Sequence, residues 1–372
     1  IRRRAGAVGA DWFVFCIPHP ARSLPKSVGC HVAIAHDLLY QLYIYLPNGE
    51  NGKMSGTAIS EDNLREKPLT PAMLRELSAR SNLQGAIRTA GHYGAVVLFG
   101  TLIWLVSSRH GVAWALPLMP VQGYFVAFLF MAVHETAHKT AFRSRTLNLI
   151  VGHLSAFAIM LPYEYYCLFH WDHHRYTQDA EKDPELIVGP KPASDTQLAI
   201  AYTGLTQVAG RVLLMLRHAF TGEVSVPWVP ENKRKKTITA ARLYVACYAL
   251  RFALSLALGT AVLLWVWIVP LLLGQLILRP YLYAEHTGCE RTRSAFLSTR
   301  TTYTGRIVKW FAWNMPYHVE HHAYPSVPFH ALPKLNRMVD DKIVFRGRGY
   351  RAVTRETWAW FRRQRHIFAQ QP

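Results

Sequence analysis

Long apolar segments, almost free of charged side chains, are the clearest pattern in this sequence. Residues 93–107 and 112–133 carry no charge and are separated by a short polar link, and a second apolar block fills residues 240–281. Because about 20 apolar residues cross a bilayer as a helix, the second block is long enough for two crossings, with a turn at Gly259-Thr260. The pattern predicts an all-α integral membrane protein with about four transmembrane helices in two hairpins.

A shorter apolar segment, residues 147–161, lies between the two blocks and ends before Pro162. At 1.5 Å per residue such a helix is only about 22 Å long, which is too short to cross a bilayer. We expect an interfacial or half-inserted helix. We also expect His153, which lies on it, to pack in the core rather than to bind a ligand.

The basic residues lie outside the apolar segments and mostly on one side of them, since only Arg109 falls in a connection on the other side. Cytoplasmic loops of membrane proteins carry an excess of Lys and Arg. The pattern therefore predicts a multi-pass protein with both termini and every long loop in the cytoplasm. The basic residues concerned are Arg75, Arg80, Arg88, Lys139, Arg143, Arg145, Lys233, Arg234, Lys235, Lys236 and a series from Arg291 to Arg365.

Composition agrees with this segregation. Of the 372 residues, 51% are hydrophobic and only 17% charged, yet 42 Lys and Arg against 23 Asp and Glu give a net charge of +19. The high share of hydrophobic residues and the low share of charged ones exclude a disordered chain and make nucleic acid a poor partner. The positive net charge still calls for anionic partners, and we expect these to be a phospholipid surface and an acidic protein. The five cysteines contain no C-x-x-C pair, which excludes a disulfide framework, a zinc ribbon and an iron–sulfur cluster.

Composition also divides the chain into four parts. Residues 1–53 show no sustained helical or strand period and precede Met54, so we expect an N-terminal extension upstream of a translation start at Met54. Residues 54–90 are expected to form a cytoplasmic helix and linker, with Thr70-Pro71 opening the helix. We expect residues 91–340 to form the transmembrane and catalytic domain and residues 341–372 to form a basic, aromatic cytoplasmic tail.

Half of the eighteen histidines fall into four groups with the spacing of metal ligands. On a helix, residues three and four apart share a face, so each of the larger groups directs its imidazoles to one side. Each group follows an even number of predicted crossings and therefore lies on the cytoplasmic face. Nine imidazoles exceed the ligands of one ion and indicate two, and imidazole binds Zn, Cu, Fe and Ni. The groups are His134 and His138, then His170, His173 and His174, then His286, then His318, His321 and His322.

The first group permits a different interpretation. His134, Glu135 and His138 match H-E-x-x-H, the zinc protease signature in which the Glu is the general base. An intramembrane zinc protease is thus an alternative, but it leaves the other seven histidines without a role. A metal transporter is a weaker alternative, because its ligands are expected within the spans rather than at their ends.

The histidine groups resemble the three histidine boxes of the membrane fatty acid desaturase superfamily, which includes hydroxylases and carotenoid ketolases. The matching text is HETAHKTAFRS, HWDHHRYTQDAEKDPEL and NMPYHVEHHAYPSVP. The resemblance implies four spans below a cytoplasmic helical cap that holds a di-iron site, with His286 as the extra ligand upstream of the third box. Leu282 stands where acyl-CoA desaturases have an Asn, and the third box is more similar to acyl-lipid and sphingolipid members.

The resemblance also implies a chemistry. Breaking an unactivated C–H bond requires a metal that activates dioxygen, so we expect O2 as co-substrate, the acyl chain of a lipid as substrate and desaturation as the reaction. A hydroxylase or ketolase of a lipid or carotenoid is the alternative. Glu135, Asp172 and Glu320, beside the histidines, are expected to hold imidazole N–H groups.

Electrons for this reaction must come from another protein. The sequence contains neither an H-P-G-G haem motif nor a G-x-G-x-x-G dinucleotide fingerprint. We therefore expect an external ferredoxin or cytochrome b-type carrier, with its reductase, to dock on the basic surface.

Overall fold

The computed structural model describes residues 69–369. The expected extension at residues 1–53, the start at Met54 and the greater part of the 54–90 segment lie outside the described residues. In chain order the helices are α1 (Pro71–Leu77), α2 (Asn82–His110), α3 (Val112–Ala137), α4 (Arg145–Ala158), α5 (Tyr163–Tyr176), α6 (Pro184–Val188), α7 (Asp195–Thr203), α8 (Leu205–Phe220), α9 (Glu231–Ala257), α10 (Leu264–His286), α11 (Ala295–Ser298), α12 (Arg306–Phe311), α13 (His318–Ala323), α14 (Leu332–Val339) and α15 (Tyr350–Ala369). Two short strands, β1 (Arg300–Tyr303) and β2 (Phe345–Arg348), accompany them.

Four of these helices are long and apolar enough to cross a membrane: α2, α3, α9 and α10. They coincide with the four predicted spans. Helix α2 begins earlier than the uncharged segment because Ser81 Oγ caps it, accepting a hydrogen bond from the Gln84 amide at 3.2 Å. The boundary predicted at residues 90–91 therefore falls inside a continuous helix.

Glycines in left-handed backbone conformations form the connections between consecutive spans. Gly111, between α2 and α3, has φ of 90°, and Gly259, between α9 and α10, has φ of 60°. Residues with a Cβ adopt such angles rarely. The predicted turn at Gly259-Thr260 is thus confirmed, and Ser255 Oγ closes it by donating to the Thr260 carbonyl.

Helices α3 and α10 approach each other so closely that their backbones nearly touch. A methyl group on Gly123 would overlap the Pro270 carbonyl oxygen, and one on Gly274 would overlap the Gly123 carbonyl. Small residues of this kind let helices pack tightly within membranes. Since His134 lies near the end of α3 and His286 ends α10, this contact holds two histidine-bearing helix ends side by side.

Two further helix pairs are sharply bent. Helices α4 and α5 meet at 101°, and α7 and α8 meet at 62°; each pair is a broken span or a re-entrant loop by length and composition. As predicted, α4 is short and ends before Pro162. His153 on α4 is more open than expected, since its side chain is 39% exposed and its Nδ1 lies 3.1 Å from the Tyr244 hydroxyl.

The C-terminal segment joins the body of the protein instead of forming a separate tail. Strand β2 pairs with β1 in parallel, with Arg300 opposite Phe345 and Tyr303 opposite Arg348. Helix α15 is anchored by a 2.8 Å hydrogen bond between the Thr357 and Tyr202 hydroxyls. The boundary predicted at residues 340–341 therefore does not separate two structural units.

Candidate metal centre

Eight of the nine predicted histidines form two compact groups. Helices α3, α5, α10 and α13 supply them, and within each group one nitrogen per imidazole lies within 4.8 Å of the others. The first group is His134, His138, His170, His174 and His321, and the second is His173, His286 and His322.

The ninth histidine, His318, adjoins the second group. Its Nε2 lies 3.2 Å from His286 Nε2, and its ring centroid is 4.6 Å from that of His322. The two groups themselves are in contact, because the rings of His174 and His322 stack at 4.1 Å. All nine imidazoles therefore belong to one continuous cluster with two centres.

Each H-x-x-H-H motif contributes to both groups. On α5, His170 and His174 join the first group and His173 joins the second. On α13 the division is reversed, since His321 joins the first group and His322 the second. Consecutive residues of a helix are rotated by about 100°, so the two adjacent histidines of a motif point in different directions and join different groups.

The arrangement of ring nitrogens fits metal ligation. His138 Nε2 and His170 Nε2 are 2.7 Å apart, His170 Nε2 and His174 Nε2 are 3.2 Å apart, and His174 Nε2 and His321 Nε2 are 3.1 Å apart. Neighbouring ligands of one ion are separated by about 3 Å when each metal–nitrogen bond is near 2.1 Å. Both ring nitrogens of the buried His134 also lack a hydrogen-bond partner in the described structure.

The electrostatics of most of these histidines favour the neutral ring, which is the form that binds a metal. Burial, and then the charge of His173, lowers the pKa of His138 to about 3. Burial and the neighbouring imidazoles lower the pKa values of the other histidines on α5 and α13, apart from His173, well below the usual range. These are His170, His174, His318, His321 and His322.

His173 differs because two carboxylates face it. Its Nδ1 lies 2.9 Å from Asp183 Oδ1 and 3.9 Å from Glu185 Oε2. Burial opposes the charged ring, but the negative charges of Glu185 and Asp183 outweigh it and raise the pKa of His173 to about 9. Asp183 is itself fixed by hydrogen bonds from the amides of Gln178 and Glu185.

Other imidazoles of the second centre are also oriented by hydrogen bonds. His286 Nδ1 lies 3.0 Å from the Ser298 carbonyl oxygen, and His322 Nδ1 lies 3.3 Å from Thr177 Oγ1. His318 Nδ1 has no hydrogen-bond partner among the described residues, but it lies 3.5 Å from the Glu285 carboxylate oxygen Oε1. Such partners fix the ring orientation and the tautomer of metal-bound histidines.

The three carboxylates singled out in the sequence have different partners from those expected. Glu135 Oε1 accepts from the Phe329 amide at 3.0 Å, and Asp172 pairs with Arg175 at 2.8 Å. Glu320 accepts from Thr301 Oγ1 at 2.5 Å and from Asn336, and burial raises its pKa to about 7. A residue next to a histidine on a helix is rotated away from it by about 100°, so adjacency in sequence did not produce contact with the imidazoles.

Asp183, Glu185 and Glu285 are instead the carboxylates that face the imidazoles, and sequence reasoning missed them. Glu285 directly precedes His286 in the sequence. The same adjacency of an acid and a histidine that singled out Glu135, Asp172 and Glu320 could therefore have identified it. Asp183 is ten residues from His173, and it reaches the ring because the chain turns back after α5. No local spacing signals that contact.

Comparison with known proteins identifies the family. The family model described as fatty acid desaturase matches residues 111–354, which is most of the described chain and includes all nine histidines. This chain belongs to the fatty acid desaturase family. The resemblance seen in the histidine boxes is thereby confirmed, and the protein is an oxidoreductase of the desaturase type.

Curated desaturases resemble this chain at modest identity. The dihydrorhizobitoxine desaturase of Bradyrhizobium elkanii is 27% identical over 69% of this chain and 75% of its own length. A chloroplastic omega-3 fatty acid desaturase of Glycine max is 25% identical over 64% of this chain and 56% of its own length. An sn-1 oleoyl-lipid 12-desaturase of Picosynechococcus is 21% identical over 59% of this chain and 67% of its own length. The alignment thus spans between about half and three quarters of each relative, and the relatives' names cover different substrates.

Proposed function

We propose that this protein desaturates the acyl chain of a membrane lipid with O2 at a histidine-held di-iron centre on the cytoplasmic face. The observation that carries the proposal is the convergence of nine histidines on two adjoining centres in a chain of the desaturase family. Two metal ions, rather than one, account for that number of imidazoles.

The chain's own residues prepare the site for iron. The first group would hold one ion, and the second group with His318 would hold the other. When bound, iron would supply the oxidation of an unactivated C–H bond by O2. The protein contributes neutral imidazoles, the Asp183 and Ser298 contacts that hold His173 and His286 in place, and burial that limits access of water to the centre.

The ends of the helices support a cytoplasmic, multi-pass arrangement in two hairpins. Helices α3 and α10 end at histidines of the centre. Helices α2 and α9 begin near the basic residues Arg80 and Lys233–Lys236, and in a hairpin these beginnings lie on the same side as the ends of α3 and α10. By the positive-inside bias, that side is cytoplasmic, and the elements from α11 to α15 would cap it.

The same basic surface suits an external electron donor. Desaturation by O2 consumes two electrons in addition to those taken from the substrate, so a carrier must deliver them. The net charge of +19 favours association with an acidic ferredoxin or cytochrome b-type protein, supplied by its own reductase.

The protease alternative conflicts with the position of Glu135. A general base in H-E-x-x-H must face a water on the metal, whereas Glu135 is fully buried and accepts a hydrogen bond from Phe329. The histidines His170, His174 and His321 also join His134 and His138 in one group, which leaves no room for a simple two-histidine zinc site.

Heterologous expression followed by gas chromatography–mass spectrometry of fatty-acid methyl esters tests the proposal. Cells that express the chain should contain a fatty acid lighter by two hydrogens than its precursor and missing from cells with the empty vector. A product heavier by one oxygen would support the hydroxylase alternative instead. An unchanged lipid profile with an iron-loaded protein and a competent donor would contradict acyl desaturation.

A further inference from the structure

An exposed tryptophan on α5, Trp171, is in direct contact with the histidine cluster. Its ring centroid lies 5.0 Å from that of His138 in an edge-to-face arrangement and 6.4 Å from that of His174. Both imidazoles belong to the first histidine group. Because Trp171 is 42% exposed, a single aromatic ring connects the protein surface with two imidazoles of that group.

Trp171 differs in exposure from the other rings that touch the cluster. Among the described residues, the other rings outside the cluster that contact its imidazoles are Phe130, at 6.5 Å from His134, and Tyr166, which stacks on His170 at 5.3 Å. Tyr166 is buried and Phe130 is half-buried. A single exposed aromatic residue is common on protein surfaces, so the contact with the cluster is what gives Trp171 its significance.

The immediate neighbours of Trp171 on the surface are charged. Asp172, the next residue, and Arg175, one turn further along α5, form an ion pair at 2.8 Å, and the arginine side chain is 64% exposed. Lys139, which directly follows His138, is also exposed. Because charged side chains are costly in the hydrocarbon of a bilayer, these neighbours favour contact with water and with another protein over contact with lipid chains.

The basic start of α9 reaches the same face of α5. Glu164 precedes Trp171 by seven residues, or about two turns, and its carboxylate pairs with Lys236 at 2.9 Å. The acids on this face are thus matched by cations, and further basic residues of the 233–236 segment lie beside them. We use the term Trp171 surface for Lys139, Trp171, Arg175 and Lys236. A positive surface of this kind complements an acidic protein.

We propose that the Trp171 surface is the docking site of the acidic one-electron carrier, and that electrons reach the first histidine group through the Trp171 ring and the His138 and His174 imidazoles. Each reduced carrier gives up one electron and leaves oxidised, so two docking events deliver the two electrons that the reaction with O2 consumes. Trp171 gains and loses no electron of its own and only shortens the path. Tryptophan and arginine are enriched among the residues that dominate binding at protein interfaces. The electron acceptor rests on the proposed desaturase function, whereas docking of the carrier does not.

Calorimetric binding of an oxidised carrier to the full chain in neutral detergent tests the docking site without catalysis. The probes are a plant-type [2Fe–2S] ferredoxin and the haem domain of a cytochrome b-type carrier. Trp171→Ala should weaken binding about tenfold or more, and Lys139→Gln should weaken it about 2–5-fold at low salt and less at high salt. Unchanged affinity in Trp171→Ala, or no binding of either carrier to the wild type, would overturn the docking site.

Anaerobic stopped-flow mixing of the reduced carrier with the iron-loaded chain tests the electron path. Trp171→Ala should slow oxidation of the carrier at least tenfold even at saturating carrier, and Trp171→Phe should retain most of the rate because a ring remains. Reduced methyl viologen needs no docking surface, so it should reduce the variants and the wild type at equal rates. Slower reduction of Trp171→Ala by both reagents would indicate a damaged centre and would contradict the path.

A matched control and a lipid probe complete the test. Trp104 is 50% exposed but lies on α2 near Gly111, at the end of the hairpin opposite the histidines, so Trp104→Ala should bind and oxidise the carrier as the wild type does. Fluorescence quenching by brominated phospholipids in nanodiscs should be the same for the wild type and Trp171→Phe. A quenching component that disappears in Trp171→Phe would place the ring in the bilayer and overturn the proposal.

Failure of the docking site and failure of the proposed function are distinguishable. Lipid products are analysed with the same preparations and the same carrier. Reduction by the carrier that depends on Trp171, without any lipid product, would support the docking site and reject acyl desaturation. Carrier-driven desaturation at the wild-type rate in Trp171→Ala would reject the docking site alone.

Discussion

Asp183 Oδ1 and His173 Nδ1 form a buried pair at 2.9 Å, which ties the second histidine group to the loop that follows α5. The contact orients the ring so that Nε2 is the atom available to a metal. Asp183 also caps α6 by accepting from the Glu185 amide at 2.9 Å. One side chain thus combines a local structural role with control of a ligand.

Replacing Asp183 by Asn should lower iron affinity about 10–100-fold, because the amide can still cap α6 but no longer supplies the negative charge that supports His173. Iron content after dialysis against a graded chelator measures the effect. Asp172→Asn is the matched control, since Asp172 pairs with the exposed Arg175 and contacts no imidazole. Equal iron loss in the two variants would contradict the role given to Asp183.

Removing one ligand from either centre should abolish activity without preventing membrane insertion. His321→Ala opens the first group and His173→Ala the second, so each variant should bind less iron than the wild type and form no product. Elemental analysis of the membrane-extracted protein, together with product analysis, measures both effects. His153→Ala, whose ring contacts Tyr244 outside the cluster, should retain iron and activity; activity in either ligand variant would contradict the metal assignment.

The sequence predicted the histidines of this site, but it did not predict how they divide into two groups. The spacing of His170, His173 and His174 predicts three imidazoles directed to one side of a helix, whereas on α5 His173 joins a different group from His170 and His174. Which centre each ring joins depends on where α13 packs against α5, and that packing brings His321 to one centre and His322 to the other. Periodicity describes a single helix, whereas the division arises from contact between two.

Gly274→Ala should destabilise the protein, because the added methyl group would overlap the Gly123 carbonyl where α3 and α10 meet. Overpacking of this kind typically costs about 1–3 kcal/mol. The midpoint of thermal unfolding in detergent should fall, and iron content should fall with it. Gly94→Ala on α2 is the control, since open space surrounds that position and alanine stabilises a helix relative to glycine by about 0.5–1 kcal/mol. A lower midpoint for Gly94→Ala than for Gly274→Ala would contradict the proposed packing.

Glu135→Gln should leave iron content and desaturation close to the wild-type values, because a glutamine oxygen can still accept the hydrogen bond from the Phe329 amide. Product formation and iron per chain are the measurements. A zinc protease would lose its general base in this variant. Abolished activity at unchanged metal content would therefore favour the protease interpretation.

The fold was predictable where it depends on hydrophobic length and turn chemistry. Uncharged segments located the four spans, and Gly259 marked a turn that requires a left-handed backbone. The pairing of β1 with β2 and the contact of Asp183 with His173 join residues that are distant or unremarkable in sequence. Such contacts follow from tertiary packing, which no local pattern encodes.

The metal content of the purified full chain tests the central claim most directly. The account predicts two irons per chain, both lost when His173 and His321 are replaced together. One zinc ion per chain with no iron, in protein that is folded and inserted in the membrane, would contradict it.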